Sequence, residues 1–133
     1  MRSTLRAFAA WFILLGAAPM LAQATDYEIV MSLPDTSSRV GAFNLLSPEG
    51  KVSVVREQIT RWTNANRGRL TQQQVAVLQE LAAAFSAEDY ERPMSDATRK
   101  RLDAMQAKAA SVLSRQDIGA AMTVNGPYLT PQP

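Results

Sequence analysis

Three times in this chain, at intervals of 24 residues, an apolar side chain is followed by a hydroxyl residue and then by a stretch suited to a helix: Leu46-Ser47, Leu70-Thr71 and Met94-Ser95. A hydroxyl at such a position accepts from the backbone N–H groups that the first helical turn leaves without intrahelical partners. The spacing therefore predicts three main helices of similar length. Beyond these dipeptides the three segments share little, which makes them separate helices rather than copies of a repeat. No segment alternates apolar and polar residues for long enough to argue a strand, so the expected class is all-α.

The details between the starts agree. Asp35 or Thr36 can cap a short helix carrying Val40, Phe43 and Leu46. Pro48 suits the first position of the next helix, where its missing N–H costs nothing, and Val52, Val55, Ile59 and Trp62 then form one stripe. That helix should close near Asn64 to Gly68 through a left-handed turn, and Glu57 and Arg61 stand four apart on its outer face. Thr71 and Gln74 form a capping box with Leu70 stapled against Val75, followed by Leu78, Leu81, Ala82 and Phe85. Ser95 caps the last long helix, with Asp96 in its first turn and Leu102, Met105, Ala109, Val112 and Leu113 on one side. This helix ends near Arg115 or runs on toward Met122. The expected core gathers Phe43, Val55, Ile59, Leu78, Phe85, Leu102 and Met105.

The first 24 of the 133 residues read as a secretion signal. Arg2 and Arg6 form its basic end, Ala7 to Leu21 its apolar run, and Ala22-Gln23-Ala24 its small-residue cleavage signature. About fifteen apolar residues broken by Gly16 and Pro19 fall short of the roughly 20 that span a bilayer. The expectation is cleavage after Ala24, a mature chain with no transmembrane segment, and a periplasmic or secreted location. The expected divisions are a signal peptide at 1–24, an irregular or extended N-terminal arm at 25–34, a helical domain at 35–122 and an irregular tail at 123–133.

Composition removes whole classes of chemistry. The chain has no Cys and no His, which excludes disulfides, thiolate and imidazole metal sites, and Ser-His or Cys-His catalysis. Its 14 Lys+Arg against 12 Asp+Glu become even once Arg2 and Arg6 leave with the signal, so no electrostatic case for nucleic acid exists. Glu88, Asp89, Glu91 and Asp96 lack the Asp-x-Asp-x-Asp-Gly order of a calcium loop and read as a solvated loop or helix start. No metal or cofactor and no catalytic residue is expected. An enzyme would require Glu88, Asp89 or Glu91 to converge with Arg99 in a cleft.

What remains is surface binding. Trp62 ends an apolar stripe, and a stripe left partly uncovered marks a partner surface or permits a homodimer. Arg99-Lys100-Arg101 is the densest positive run. It reads by default as a solvated face in which Lys100 and Asp96 pair, and these three residues with Trp62 are the candidate partner-binding set. The partner would be a protein or a component of the cell envelope.

Two resemblances give this reading a setting. Ser32-Leu33-Pro34, Arg39-Val40-Gly41-Ala42-Phe43-Asn44-Leu45-Leu46-Ser47-Pro48-Glu49, Arg56 and Arg69-Leu70-Thr71-Gln72-Gln73-Gln74 resemble the helical region of fulvocin C-related proteins, a bacteriocin-labelled exported group, over about 60 residues from Ser32 to Glu91. Members of that group often carry a C-terminal portion with cysteines, which this chain lacks. Separately, Leu70-Thr71-Gln72-Gln73-Gln74 is similar to the Leu-Thr-x-x-Gln motif of the Spy/CpxP periplasmic chaperones, whose second copy is degraded here to Leu46-Ser47-Pro48-Glu49-Gly50. The first resemblance implies a role in competition between bacteria. The second implies a cradle-shaped dimer that shelters unfolded clients without ATP. Both imply an exported, helical, non-enzymatic protein.

Overall fold

Six α-helices follow one another in the residues that the computed structural model describes, 24–122: α1 (Asp26–Met31), α2 (Thr36–Leu45), α3 (Pro48–Ala65), α4 (Gln72–Ala84), α5 (Asp96–Ala110) and α6 (Arg115–Ala121). Single 3-10 turns at Arg67–Arg69 and Ala87–Tyr90 sit in two of the connections, and no strand occurs among the described residues. The all-α class is the observed one. The expected signal peptide through residue 23 and the expected tail from 123 to 133 lie outside the described residues.

Every predicted start is a cap. Asp35, Ser47, Thr71 and Ser95 each accept from the backbone N–H three residues on, and Pro48 occupies the first turn of α3. Thr71 and Gln74 form both bonds of the box, Gln74 N–H to Thr71 Oγ1 at 3.1 Å and Thr71 N–H to Gln74 Oε1 at 2.9 Å. Glu57 and Arg61 pair at 2.7 Å.

Three expectations are corrected. The segment at 25–34 is not an irregular arm: Thr25 caps α1 with the same reciprocal box, using Glu28, and Tyr27 and Val30 are buried against the rest. The last helix neither stops once nor runs on. Lys108 and Ala109 carbonyls are closed by the Ser111 and Leu113 N–H groups, and Ser114 caps a separate α6 through the Asp117 N–H. Finally, α3 ends without a left-handed residue. Asn66 has φ −109° and its side-chain amide donates to the Trp62 carbonyl at 2.8 Å, which satisfies the helix end directly.

The core is organised on α3, which packs against α1, α4, α6 and the turn at 87–90. Val54, Val55 and Ile59 of α3 are fully buried, each contributing about 1.5–3 kcal/mol. Gln58 and Thr63 are buried too, so α3 hides far more than one stripe. Their polar atoms are satisfied, Gln58 Oε1 by the Tyr27 hydroxyl at 3.0 Å and the Thr63 hydroxyl by the Ile59 carbonyl at 2.7 Å. Phe43, Leu78 and Phe85 join them as expected, and Tyr90 stacks on Phe85 and meets the Phe43 ring edge-on. Leu102 and Met105 do not: they are only partly buried, at the rim of the core.

Candidate functional site

The rim position of Met105 follows from the composition of α5. Alanine at 104 and 109 gives that helix little volume with which to fill the space beside α4. The result is a shallow groove of about 280 Å³ along the α4–α5 seam, walled by Val77, Leu81, Ala84, Ala104 and Met105. Glu80 and Lys108 pair at 2.6 Å beside it, and the Arg101 side chain lines one end. Leu81 and Met105 also wall a smaller hollow of about 50 Å³ with Phe85, Leu102, Ile118 and Met122. Together these make a continuous apolar strip bordered by charge.

Arg101 is held by three neighbours. Its guanidinium pairs with the fully buried Asp89 carboxylate, donates to the Ala84 carbonyl at 3.1 Å and lies 3.4 Å from Met105 Sδ. The other Asp89 oxygen accepts the Ser86 N–H at 2.9 Å, which closes the turn after α4. Arg56 of α3 reaches the same helix end, donating to the carbonyls of Ala82 at 3.1 Å and Phe85 at 2.6 Å. Helix α4 has no cation in its own last turn, and two arginines from other helices supply the positive charge its C-terminus favours.

The positive run is therefore divided. Successive residues on a helix point about 100° apart, and Arg101 faces inward while its neighbours face water. Arg99 pairs with Asp96 at 3.5 Å, taking the carboxylate expected for Lys100, and Lys100 is exposed. Trp62 is half-buried with the Arg69 guanidinium 5.5 Å from its ring centroid, and it does not line the groove. Only Arg101 of the four residues singled out in the sequence borders the apolar strip.

The acidic cluster does not assemble as a site. Asp89 is buried on Arg101, which corrects the expectation of a solvated carboxylate, whereas Glu88 is exposed and accepts from the Thr98 hydroxyl at 3.3 Å. Glu91 is exposed, and Arg99 lies on Asp96 instead of meeting these groups in a cleft. Among the described residues no group of three or more His, Cys, Asp or Glu could hold a metal ion, and no helix is long and apolar enough to cross a membrane. Another hollow, of about 710 Å³ beside Glu49, Ser53, Arg56, Glu57, Thr60 and Ser86, is wide open. Arg56 is committed there to the end of α4 and Glu57 to Arg61.

Two tethers hold the groove's walls. The Gln74 amide donates to the Val112 carbonyl at 3.0 Å while its oxygen serves the Thr71 cap. Arg69 pairs with Asp117 at 2.9 Å, and that hydrogen-bonded guanidinium holds the Asp117 carboxyl below the usual carboxylate range. The start of α4 is thereby tied to the α5–α6 connection, and the turn before it to α6. The sequence singled out neither tether, nor Val77, Glu80, Ala104 and Lys108. Their one signal was the pattern Val75, Val77, Leu78, Leu81, which is too wide for a single core-facing stripe. Compared with protein-family models, curated proteins and solved structures, the chain matches none.

Proposed function

We propose that this chain is exported, loses its leader after Ala24, and acts without catalysis by seating an apolar segment of a protein or envelope partner in the α4–α5 groove. The observation that supports it is the strip formed by Val77, Leu81, Ala104 and Met105, left uncovered between two helices whose charged neighbours are already paired. A chain without His or Cys has few routes to catalysis, and a groove this shallow suits a side-chain row better than an enclosed small molecule. The resemblance to fulvocin C-related proteins supplies the setting, competition or self-protection between bacteria. Growth inhibition of neighbouring strains by purified residues 25–133 tests it; inactivity across a broad panel counts against it.

A second reading, a chaperone of the Spy/CpxP kind, draws on the same groove. Its walls offer no unpaired polar side chain to select one sequence, and methionine adapts to varied apolar partners. Suppression of a client's aggregation at stoichiometric amounts without ATP separates this reading from the first.

A further inference from the structure

We infer that removal of the leader builds the new amino terminus into the fold, with the ammonium group of Thr25 pairing with the Glu28 carboxylate to complete α1. The inference rests on the export reading above and extends it to what the cut creates.

Two independent observations meet at Thr25. In the sequence it is the first residue after Ala22-Gln23-Ala24. In the structure it is the cap of α1: the Thr25 hydroxyl accepts the Glu28 N–H at 3.1 Å, and the Thr25 nitrogen donates to Glu28 Oε1 at 2.9 Å. Immediately behind it the chain is docked. Val30 is fully buried, and the Tyr27 hydroxyl donates to Gln58 of α3. A six-residue helix does not hold in isolation, so α1 depends on its cap and on that docking. A cut one or two residues later would remove the cap.

The chemistry of the cut changes one atom of the box. Hydrolysis breaks the Ala24–Thr25 C–N bond, water supplying the hydroxyl to the Ala24 carbonyl carbon and a hydrogen to the Thr25 nitrogen. At neutral pH the products are a carboxylate on the leader and an ammonium on Thr25, whose ordinary pKa is about 7.7–8.0. A neutral donor facing the Glu28 carboxylate becomes a charged one, so attraction between opposite charges is added to a hydrogen bond whose acceptor is already ionised. A cation at a helix N-terminus opposes the helix dipole, and Asp26 and Glu28 in the first turn offset it. From α3, Arg61 lies 4.8 Å from the Tyr27 ring centroid, but its guanidinium is held by Glu57 at 2.7 Å.

Two measurements test this. Expressed in full in a Gram-negative host, the exported protein should have an intact mass that starts at Thr25. Met1 retained in the cytosol overturns the export reading and this inference together, whereas export with any other first residue overturns the cut after Ala24 and this inference while export itself stands. Second, Glu28→Gln is compared in the chain starting at a free Thr25 and in the same chain enzymatically acetylated on Thr25. The substitution should lower the folded-to-unfolded ratio about twofold more in the free-amine chain than in the acetylated one. An equal loss in both overturns the ion pair.

Discussion

The fully buried Asp89 carboxylate meets the guanidinium of Arg101 behind the C-terminal end of α4, and that pairing joins the turn at 87–90 to α5. Arg101→Ala leaves Asp89 buried without its counter-charge, a loss expected to cost about 3–5 kcal/mol. Lys100→Ala, one residue away and exposed, should change stability by less than about 0.5 kcal/mol. Urea denaturation of the two variants checks the contrast.

Gln74 has two duties that can be separated. Gln74→Glu keeps an acceptor for the Thr71 N–H but has no donor for the Val112 carbonyl, while Gln74→Ala loses both. The alanine variant should lose roughly 1–2 kcal/mol. Both variants should show faster amide exchange around Val112 to Ser114, because that connection loses its tether to α4. Unchanged exchange in Gln74→Glu would show that the tether does not hold the connection.

Acid should act through Asp117. Arg69 depresses the folded-state pKa of its carboxyl, so this contribution to stability is fully present above the unfolded value of about 3.9 and is lost as the pH falls through the lower folded value. Asp35, held low by the Ser38 N–H, behaves in the same sense. Between about pH 4 and pH 2, Asp117→Asn should lose less stability than the parent chain, as read by thermal melts across that range. Both carboxyls are near the surface, so each effect is small.

The close approach of α1 to α3 predicts a steric effect. A Cβ on Gly50 would stand 2.9 Å from Asp26 Oδ2 and 3.3 Å from the Leu46 Cβ. Gly50→Ala should gain less than the roughly 1 kcal/mol of alanine's better helix propensity, because Asp26 must swing away and Leu46 must shift, and Asp26→Ala in the same chain should recover part of the shortfall. Thermal denaturation of the single and double variants provides the comparison.

Helix starts were legible because each is a local signal: Ser47, Thr71 and Ser95 cap helices by bonds three residues long. The same logic applies to Thr25 with Glu28 and to Ser114 with Asp117, but there a short segment and a continuing apolar stripe hid the boundary. What local pattern could not give was direction. Arg101 looks like Lys100 in sequence, and only the packing of α5 against the turn after α4 sends one inward to Asp89 and leaves the other in water. The groove was hidden for a related reason. Leu81 and Met105 share the periodicity of Leu78 and Ala109, and the difference between wall and core depends on how little volume the alanines of α5 bring to the seam.

The groove reading is tested most directly by growth inhibition with the mature protein and its Ala104→Glu variant. Ala104 lines the groove yet is exposed, so the substitution places a charge in the apolar strip without entering the core. Inhibition by the parent protein, lost in a variant that melts at the same temperature, is the expected result. Equal inhibition by both would contradict a role for the α4–α5 groove.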